Sequence, residues 1–400
     1  MRKLKDWLKA YMEYTSYTEA PEQFHFWTGV GVISSALRRK VWLDMLYWEW
    51  SPNFYIIFVA PPGIATKSTT MGIGKNLLSE LNTIHFGPAA ITWQTLLPIL
   101  NDATESVPMP DGSFYPMSCV SFFLSELGTF LDLQDRKMLD VLVDMWDGHK
   151  GTWQKGTVSR GIESVVNPWI TIVAGVTPNW LSDNLPRVLI GGGFASRCIF
   201  VFGNEKRNYI PFPKRVVQPS WVKNLKADLV NDLAIIASLR GEFTLTEEAY
   251  ECAGDWYVKY WKDATSMLMV DSDMTGYIAR KQAHVLKLAM VLSASQQSDL
   301  IITKDHFLAA VSILESVEKG LPAIFRKIST DVGQEMAEKV LLVVKEKGKI
   351  EKTRLYQIFF HSMSATQFNE VIASALTAGY IHQIQQGTRL IIEWVGTGQP

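Results

Sequence analysis

The sequence predicts an α/β fold on three observations. Short apolar runs at Asn53 to Ala60, Cys119 to Leu124 and Trp169 to Val176, with a further one (CIFVF) just after Arg197, have the length and β-rich content of buried strands. Stretches of helical period separate or follow these runs, the order expected of a sheet with helices on its faces. The composition, 47% hydrophobic and 20% charged over 400 residues, supplies a large core.

Taken in order, residues 1–50 read as an N-terminal helical region. Trp7, Tyr11, Tyr14 and Tyr17 are followed by the segment Phe24 to Trp42, and aromatics at helical spacing are core residues by default. Residues 51–210 carry the α/β core. The first strand is bounded by Ser-Pro in front and Pro-Pro-Gly behind, and from Ser68 the pattern turns helical. Residues 211–330 read as a helical lid subdomain, with long helices at Trp221 to Ser238, Thr246 to Met269 and Tyr277 to Ser295. Residues 331–396 contain three short helices, Met336 to Lys347, Lys352 to His361 and Ser364 to Ala378. A hairpin turning at Gln386-Gly387 follows, and together they describe a winged helix.

Composition excludes several classes of protein. No run of about 18 uncharged apolar residues offers a membrane span, and the first residues lack the apolar segment of a secretion signal, so a cytoplasmic protein is expected. Cys119, Cys198 and Cys252 are isolated and odd in number, which suits neither a disulfide framework nor a zinc site. A formal net charge of -1 gives no global attraction to nucleic acid, so any such binding rests on local basic surfaces.

The loop from Pro62 through Gly63, Ile64, Ala65 and Thr66 to Lys67, Ser68 and Thr69 has the parts that phosphate binding needs. A strand delivers it, and the following helix points the positive end of its dipole at an anion. Lys67 would reach the β and γ phosphates of ATP, and the Ser68 hydroxyl would ligate Mg2+. The spelling departs from G-x-x-x-x-G-K-S, because Pro61 and Thr66 stand where glycines belong. An ordinary strand-to-helix turn is the competing reading.

The run CVSFFL ends in Ser125-Glu126, where an Asp-Glu pair would hold the magnesium shell and polarise the attacking water. Glu126 is the candidate catalytic carboxylate, and Ser125 can hydrogen-bond a metal-bound water without adding charge. A solvated strand end is the alternative for Glu126. The third strand ends in Thr177-Pro178-Asn179, and Asn179 or Thr177 could sense the γ phosphate or simply shape a turn. Arg197, after a glycine-rich segment, is either an arginine finger inserted into a neighbouring subunit or a structural ion-pair partner. In GYIARKQAHVLKLAMVL, Arg280, His284 and Lys287 share one helix face and Lys281 lies beside it. Arg280 and Lys281 therefore offer cations to a nucleotide, or form part of a solvated basic stripe.

With these residues in view, the chain resembles P-loop ATPases of phages and other mobile elements, often found beside or fused to primases. The resemblance lies in the order FHFWTGVGVISSALRRKVWL, APPGIATKST, GPAAITWQTLLPIL, FFLSELGTFL, WITIVAGVTPNWL, GGGFASRCIFVF and GYIARKQAHVLKLAMVL, and covers roughly residues 20 to 320. It implies an AAA+/RecA-like core, ATP and Mg2+ as cofactors, and a ring, expected to be hexameric, related to initiator helicases. Glu126, Thr177 with Pro178, and Arg197 take the matching motif positions, and a primase is an implied partner.

Two segments are candidates for nucleic acid. Lys150, Lys155 and Arg160 could pair with phosphates of a single strand in a ring channel while Trp153 stacks on a base; a plain surface hairpin is the alternative. On the winged helix, Lys352, Arg354, Gln367 and Arg389 suit duplex DNA, though such modules also dock proteins. The leading expectation is an ATP-driven replication helicase or helicase loader. A nucleotide-gated DNA-binding initiator without unwinding is the alternative, and a small-molecule kinase is a third reading.

Overall fold

A computed structural model describes the chain except residues 132–134, 149, 158–160, 185–192, 269–274, 320–331, 361, 362, 388 and 397–400. It falls into two compact units, Met1–Phe325 and Arg326–Pro400.

The first unit begins with helices α1 (Trp7–Tyr14) and α2 (Glu22–Leu37) and strands β1 (Val41–Asp44), β2 (Glu49–Trp50) and β3 (Tyr55–Val59). Helices α3 (Lys67–Leu78) and α4 (Trp93–Asp102) lead into β4 (Thr104–Pro108) and β5 (Phe114–Leu124). Next come α5 (Leu127–Phe130), α6 (Arg136–Asp147) and a hairpin of β6 (Thr152–Thr157) and β7 (Gly161–Val166). Strand β8 (Pro168–Val176), helix α7 (Pro178–Asn184) and strand β9 (Cys198–Phe202) follow. The unit continues with α8 (Pro213–Val216), α9 (Pro219–Ser238), β10 (Gly241–Leu245), α10 (Glu247–Leu268), α11 (Thr275–Gln296), β11 (Ile301–Ile302) and α12 (Lys304–Glu318).

The central sheet has the order β4-β5-β8-β3-β9, parallel except for the antiparallel edge strand β4. Every residue of β3 and β8 is buried, as strands covered on both faces require. Alternation of side chains assigns the faces. Phe58 stacks on Phe24 of α2 with centroids 4.6 Å apart, while Tyr55 turns the other way, its hydroxyl donating to the Leu142 carbonyl of α6 at 2.7 Å. Helix α3 lies against α2 through Gly74, where a Cβ would stand 2.5 Å from the Thr28 methyl, so only hydrogen fits between the helices.

The helical reading of residues 1–50 holds for α1 and α2 and fails beyond them. Val41–Asp44 and Glu49–Trp50 form strands in a second sheet, order β11-β10-β1-β2, closed by a turn in which Met45 N–H donates to the Trp48 carbonyl. Strand β1 pairs in parallel with β10, some 200 residues later in the chain, and pattern alone does not reveal so distant a partner. The long helices of 211–318 lie close to the sequence expectation. They are bound into the same core: the Trp7 indole N–H donates to the Leu229 carbonyl at 2.9 Å, and buried Asp232 accepts from the backbone N–H groups of Lys3 and Leu4. One apolar cluster runs through α1, α2, β3, α9, α11 and α12. Among the described residues no helix is long and apolar enough to cross a membrane.

The second unit comprises α13 (Val332–Lys347), β12 (Lys349–Glu351), α14 (Lys352–Phe359), α15 (Ala365–Thr377), β13 (Ile381–Gln386) and β14 (Arg389–Trp394). Its antiparallel sheet has the order β12-β14-β13. Val340, Val344, Leu355, Phe368, Ile372, Ile381 and Ile392 form a separate small core. Gly387 takes the left-handed backbone, φ +61, at the hairpin turn.

Candidate functional site

The carboxyl ends of β3, β5 and β8 meet at one edge of the central sheet. Ile57, Ala174 and Leu124 share a register row, so Ala60, Ser125-Glu126 and Thr177 all emerge at that edge. The helix leaving β3 covers one face of the sheet and the helix leaving β5 the other, an arrangement that opens a crevice at strand ends.

The turn from Ala60 to Lys67 occupies this crevice. Gly63 (φ +77) and Thr66 (φ +43) are both left-handed. Thr66 thus adopts the conformation that makes glycine usual at this position, and its β-branched side chain pays a steric penalty of about 1 kcal/mol or more. Thr66→Gly is expected to raise the unfolding free energy by about 1 kcal/mol in urea titrations. An unchanged or lower value would count against the left-handed turn. Among the described residues the N-cap Thr66 makes no side-chain hydrogen bond to the first turn of α3, which keeps its N-terminal dipole directed at the crevice.

Lys67 opens α3 and is only 8% exposed. Its ammonium donates to the Ala60 carbonyl at 2.7 Å. Burial lowers the Lys67 pKa, and the nearby Glu126 carboxylate opposes that shift. The aliphatic stem rests on β8 at Gly175, where a Cβ would meet Lys67 Cε at 3.2 Å and the Ser125 carbonyl oxygen at 2.6 Å. An isolated glycine in an otherwise apolar run, as in WITIVAGV, is the sequence signal for such a close approach.

Around the crevice, Pro62, Gly63, Ile64, Ser68 and Thr69 are exposed, and Ala65 is buried beneath the turn. Ser125 and Glu126 are exposed, with Glu126 at the N-cap of α5. The Thr177 hydroxyl accepts from the Trp180 N–H at 3.2 Å, so it caps α7, and Asn179 lies on the exposed first turn of that helix. Trp180 packs over Gly128, which brings the α7 and α5 starts together. The residues present fit a triphosphate with a hard divalent cation: one ammonium, a hydroxyl at Ser68, a carboxylate at Glu126 and an uncapped helix N-terminus.

Three predicted residues lie elsewhere. Arg197 precedes β9 at the opposite, amino edge of the sheet, because Cys198 pairs with Tyr55 at the start of β3. It is 3% exposed, its guanidinium forming a two-pronged ion pair with Asp147 and donating to the Gly193 carbonyl at 2.6 Å. Its guanidinium is thus engaged within the chain. The cationic face of α11 points to the same amino edge, about 16 Å from the turn by strand rise over the five residues of β3. Lys287 donates to Asn53 Oδ1 at 2.7 Å and lies 3.5 Å from the centre of the Trp146 ring. His284 contacts the Ser196 carbonyl at 3.2 Å, and burial pushes its pKa down to about 3. Arg280, near Arg197, bonds the Gly276 carbonyl, and Lys281 is pinned to Glu318 at 2.7 Å. Arg280 and Lys281 therefore do not join the nucleotide candidates.

The nucleic-acid candidates are likewise divided. Lys150 pairs with Glu49 at 3.3 Å, the Trp153 indole N–H donates to Asp144 at 3.2 Å, and Arg160 lies outside the described residues. Lys155 lies over the ring of Trp93 at 4.6 Å, with Lys137 at 5.8 Å from the same ring, a grouping not read from sequence. In the C-terminal unit Arg354 and Arg389 are exposed and Lys352 is half-buried. Gln367 instead closes a capping box on α15, its side-chain oxygen accepting from the Ser364 N–H at 3.0 Å. Comparison with protein-family models and with curated proteins finds no match for the chain.

Proposed function

We propose that the chain is a P-loop ATPase in which the Ala60–Lys67 turn holds a triphosphate. The observation that carries this is the buried Lys67 ammonium at the head of an uncapped helix, with Glu126 and Thr177 at the same sheet edge. Lys67 would bind the β and γ oxygens, and Ser68 would ligate Mg2+, with Ser125 reaching its hydration shell. The bound magnesium supplies charge neutralisation on the phosphates. Glu126 orients and polarises the attacking water, and Asn179 or Thr177 contacts the γ phosphate.

A winged-helix reading of the C-terminal unit is supported by its three helices and antiparallel hairpin, with Arg354 and Arg389 exposed for duplex contact. Joined to an ATPase, it favours an oligomeric DNA helicase or helicase loader of a mobile element, with a primase as partner. The engagement of Arg197 with Asp147 gives weight to the second reading, a nucleotide-gated DNA-binding initiator, because hydrolysis in trans needs that pair to open. ATPase rate with and without single-stranded DNA, measured beside strand displacement on a forked duplex, separates the two. Unwinding coupled to hydrolysis supports the motor; ATP-dependent DNA binding without displacement supports the switch; no ATP binding removes both.

A further inference from the structure

Beside α3 lies a cavity of about 410 Å3 walled by Tyr14, Tyr17, Ile73, Val217, Trp221 and Val222. Its size and apolar lining suit a flat heterocycle. Helix α3 connects it to the phosphate turn: Thr69, Gly72 and Ile73 share one face, and Ile73 is about 6 Å along the axis from Thr69. That offset is of the order of a ribose. Position 72 keeps the path open, since a Cβ there would meet nothing within 4 Å. Tyr17 and Trp221 stand edge to face in the lining, centroids 6.1 Å apart, and give aromatic surface for stacking.

The backbone of the wall has few hydrogen-bond donors left for a ligand, and the remaining donors are the side-chain tips of Tyr14, Tyr17, Lys214 and Trp221. Thr15, also in the lining, donates its hydroxyl to the Tyr11 carbonyl, and Thr18 donates its own to the Thr15 carbonyl at 2.8 Å. The backbone N–H groups of Thr15, Thr18, Val217 and Val222 are bonded within their own turns, and Pro213 and Pro219 have none. A site that reads one base against another needs unpaired donors and acceptors set to that base's edge. Here no backbone group is set to a base edge, Tyr17 and Lys214 are exposed to water, and the aromatic and aliphatic contact area outweighs the polar tips.

We propose that this cavity receives the base of the nucleoside triphosphate and holds it by stacking and apolar contact, accepting ATP and GTP alike. The proposal rests on the phosphate reading of the Ala60–Lys67 turn. Both purines present similar area to the walls; pyrimidines present less and bind more weakly.

Calorimetry with magnesium and, in turn, ATP, GTP, CTP and inorganic tripolyphosphate tests it. ATP and GTP are expected within about threefold of each other and CTP about tenfold weaker. Trp221→Ala and Gly72→Leu should each weaken ATP by about tenfold while leaving tripolyphosphate unchanged. The two variants act oppositely, one removing wall and one filling the path, and a Cβ at position 72 meets nothing within 4 Å. A preference of ATP over GTP beyond about thirtyfold overturns the proposal. So does unchanged ATP affinity in both variants while Lys67→Ala weakens it by about a hundredfold, an outcome that leaves the phosphate site standing. If neither tripolyphosphate nor ATP binds the unaltered protein, the phosphate reading falls and takes this one with it.

Discussion

Lys67→Ala is expected to weaken magnesium-ATP binding by about a hundredfold and to reduce hydrolysis to background. Two charge-assisted hydrogen bonds to phosphate oxygens, at about 1.5 to 3 kcal/mol each, are lost with the ammonium, and each 1.4 kcal/mol is about tenfold in affinity. The same change leaves the Ala60 carbonyl without its partner, a cost of about 1 to 3 kcal/mol in stability if water does not replace it. Lys67→Met separates these effects, because it keeps the stem over Gly175 and removes only the charge. Equal loss of ATP binding in both variants, with circular dichroism unchanged in the methionine form, is the expected result. Retained binding in Lys67→Met would show that the ammonium is not a phosphate ligand.

The second large effect is at the other edge of the sheet. Asp147→Ala leaves the Arg197 guanidinium buried without its carboxylate, and breaking a buried pair from one side costs about 3 to 5 kcal/mol. Lys287 and Arg280 lie close enough to feel the same carboxylate, which adds to the penalty. Urea unfolding should show the loss in full for Asp147→Ala and only part of it for Asp147→Ala combined with Arg197→Met, since the stranded cation is then gone. ATP affinity should hardly change, because this edge is remote from Lys67. A loss below about 1 kcal/mol in the single variant would mean that Arg197 finds another partner, as a finger reaching a neighbouring subunit would.

Much of the central sheet was legible. The runs that became β3, β5, β8 and β9 are apolar on both faces and short, and the helices of 221–295 have clear period and ends. The second sheet was not, because strands of two to five residues carry little pattern and their partners lie far off in sequence. In the candidate site, Lys67, Ser68 and Glu126 could be placed from strand ends alone. Thr66 argued against the turn, since a β-branched residue gives no sign of a left-handed backbone. The shared face of Arg280, His284 and Lys287 was visible as periodicity. Its direction was not: periodicity says which side chains point together, whereas packing on Trp146 and Asn53 decides where.

Gly175 gives the Lys67 side chain a stop. With only hydrogen beneath it, the methylene chain lies flat on the neighbouring strand, so the height of its charged tip above the sheet is gauged by a rigid β-ladder and not by the loop that carries it. A loop so relieved can drift in composition, trading glycine for proline or threonine, while the tip keeps its aim. Even a methyl group at position 175 would shim the tip upward and push on the Ser125 carbonyl at once, detuning two strand ends with a single carbon.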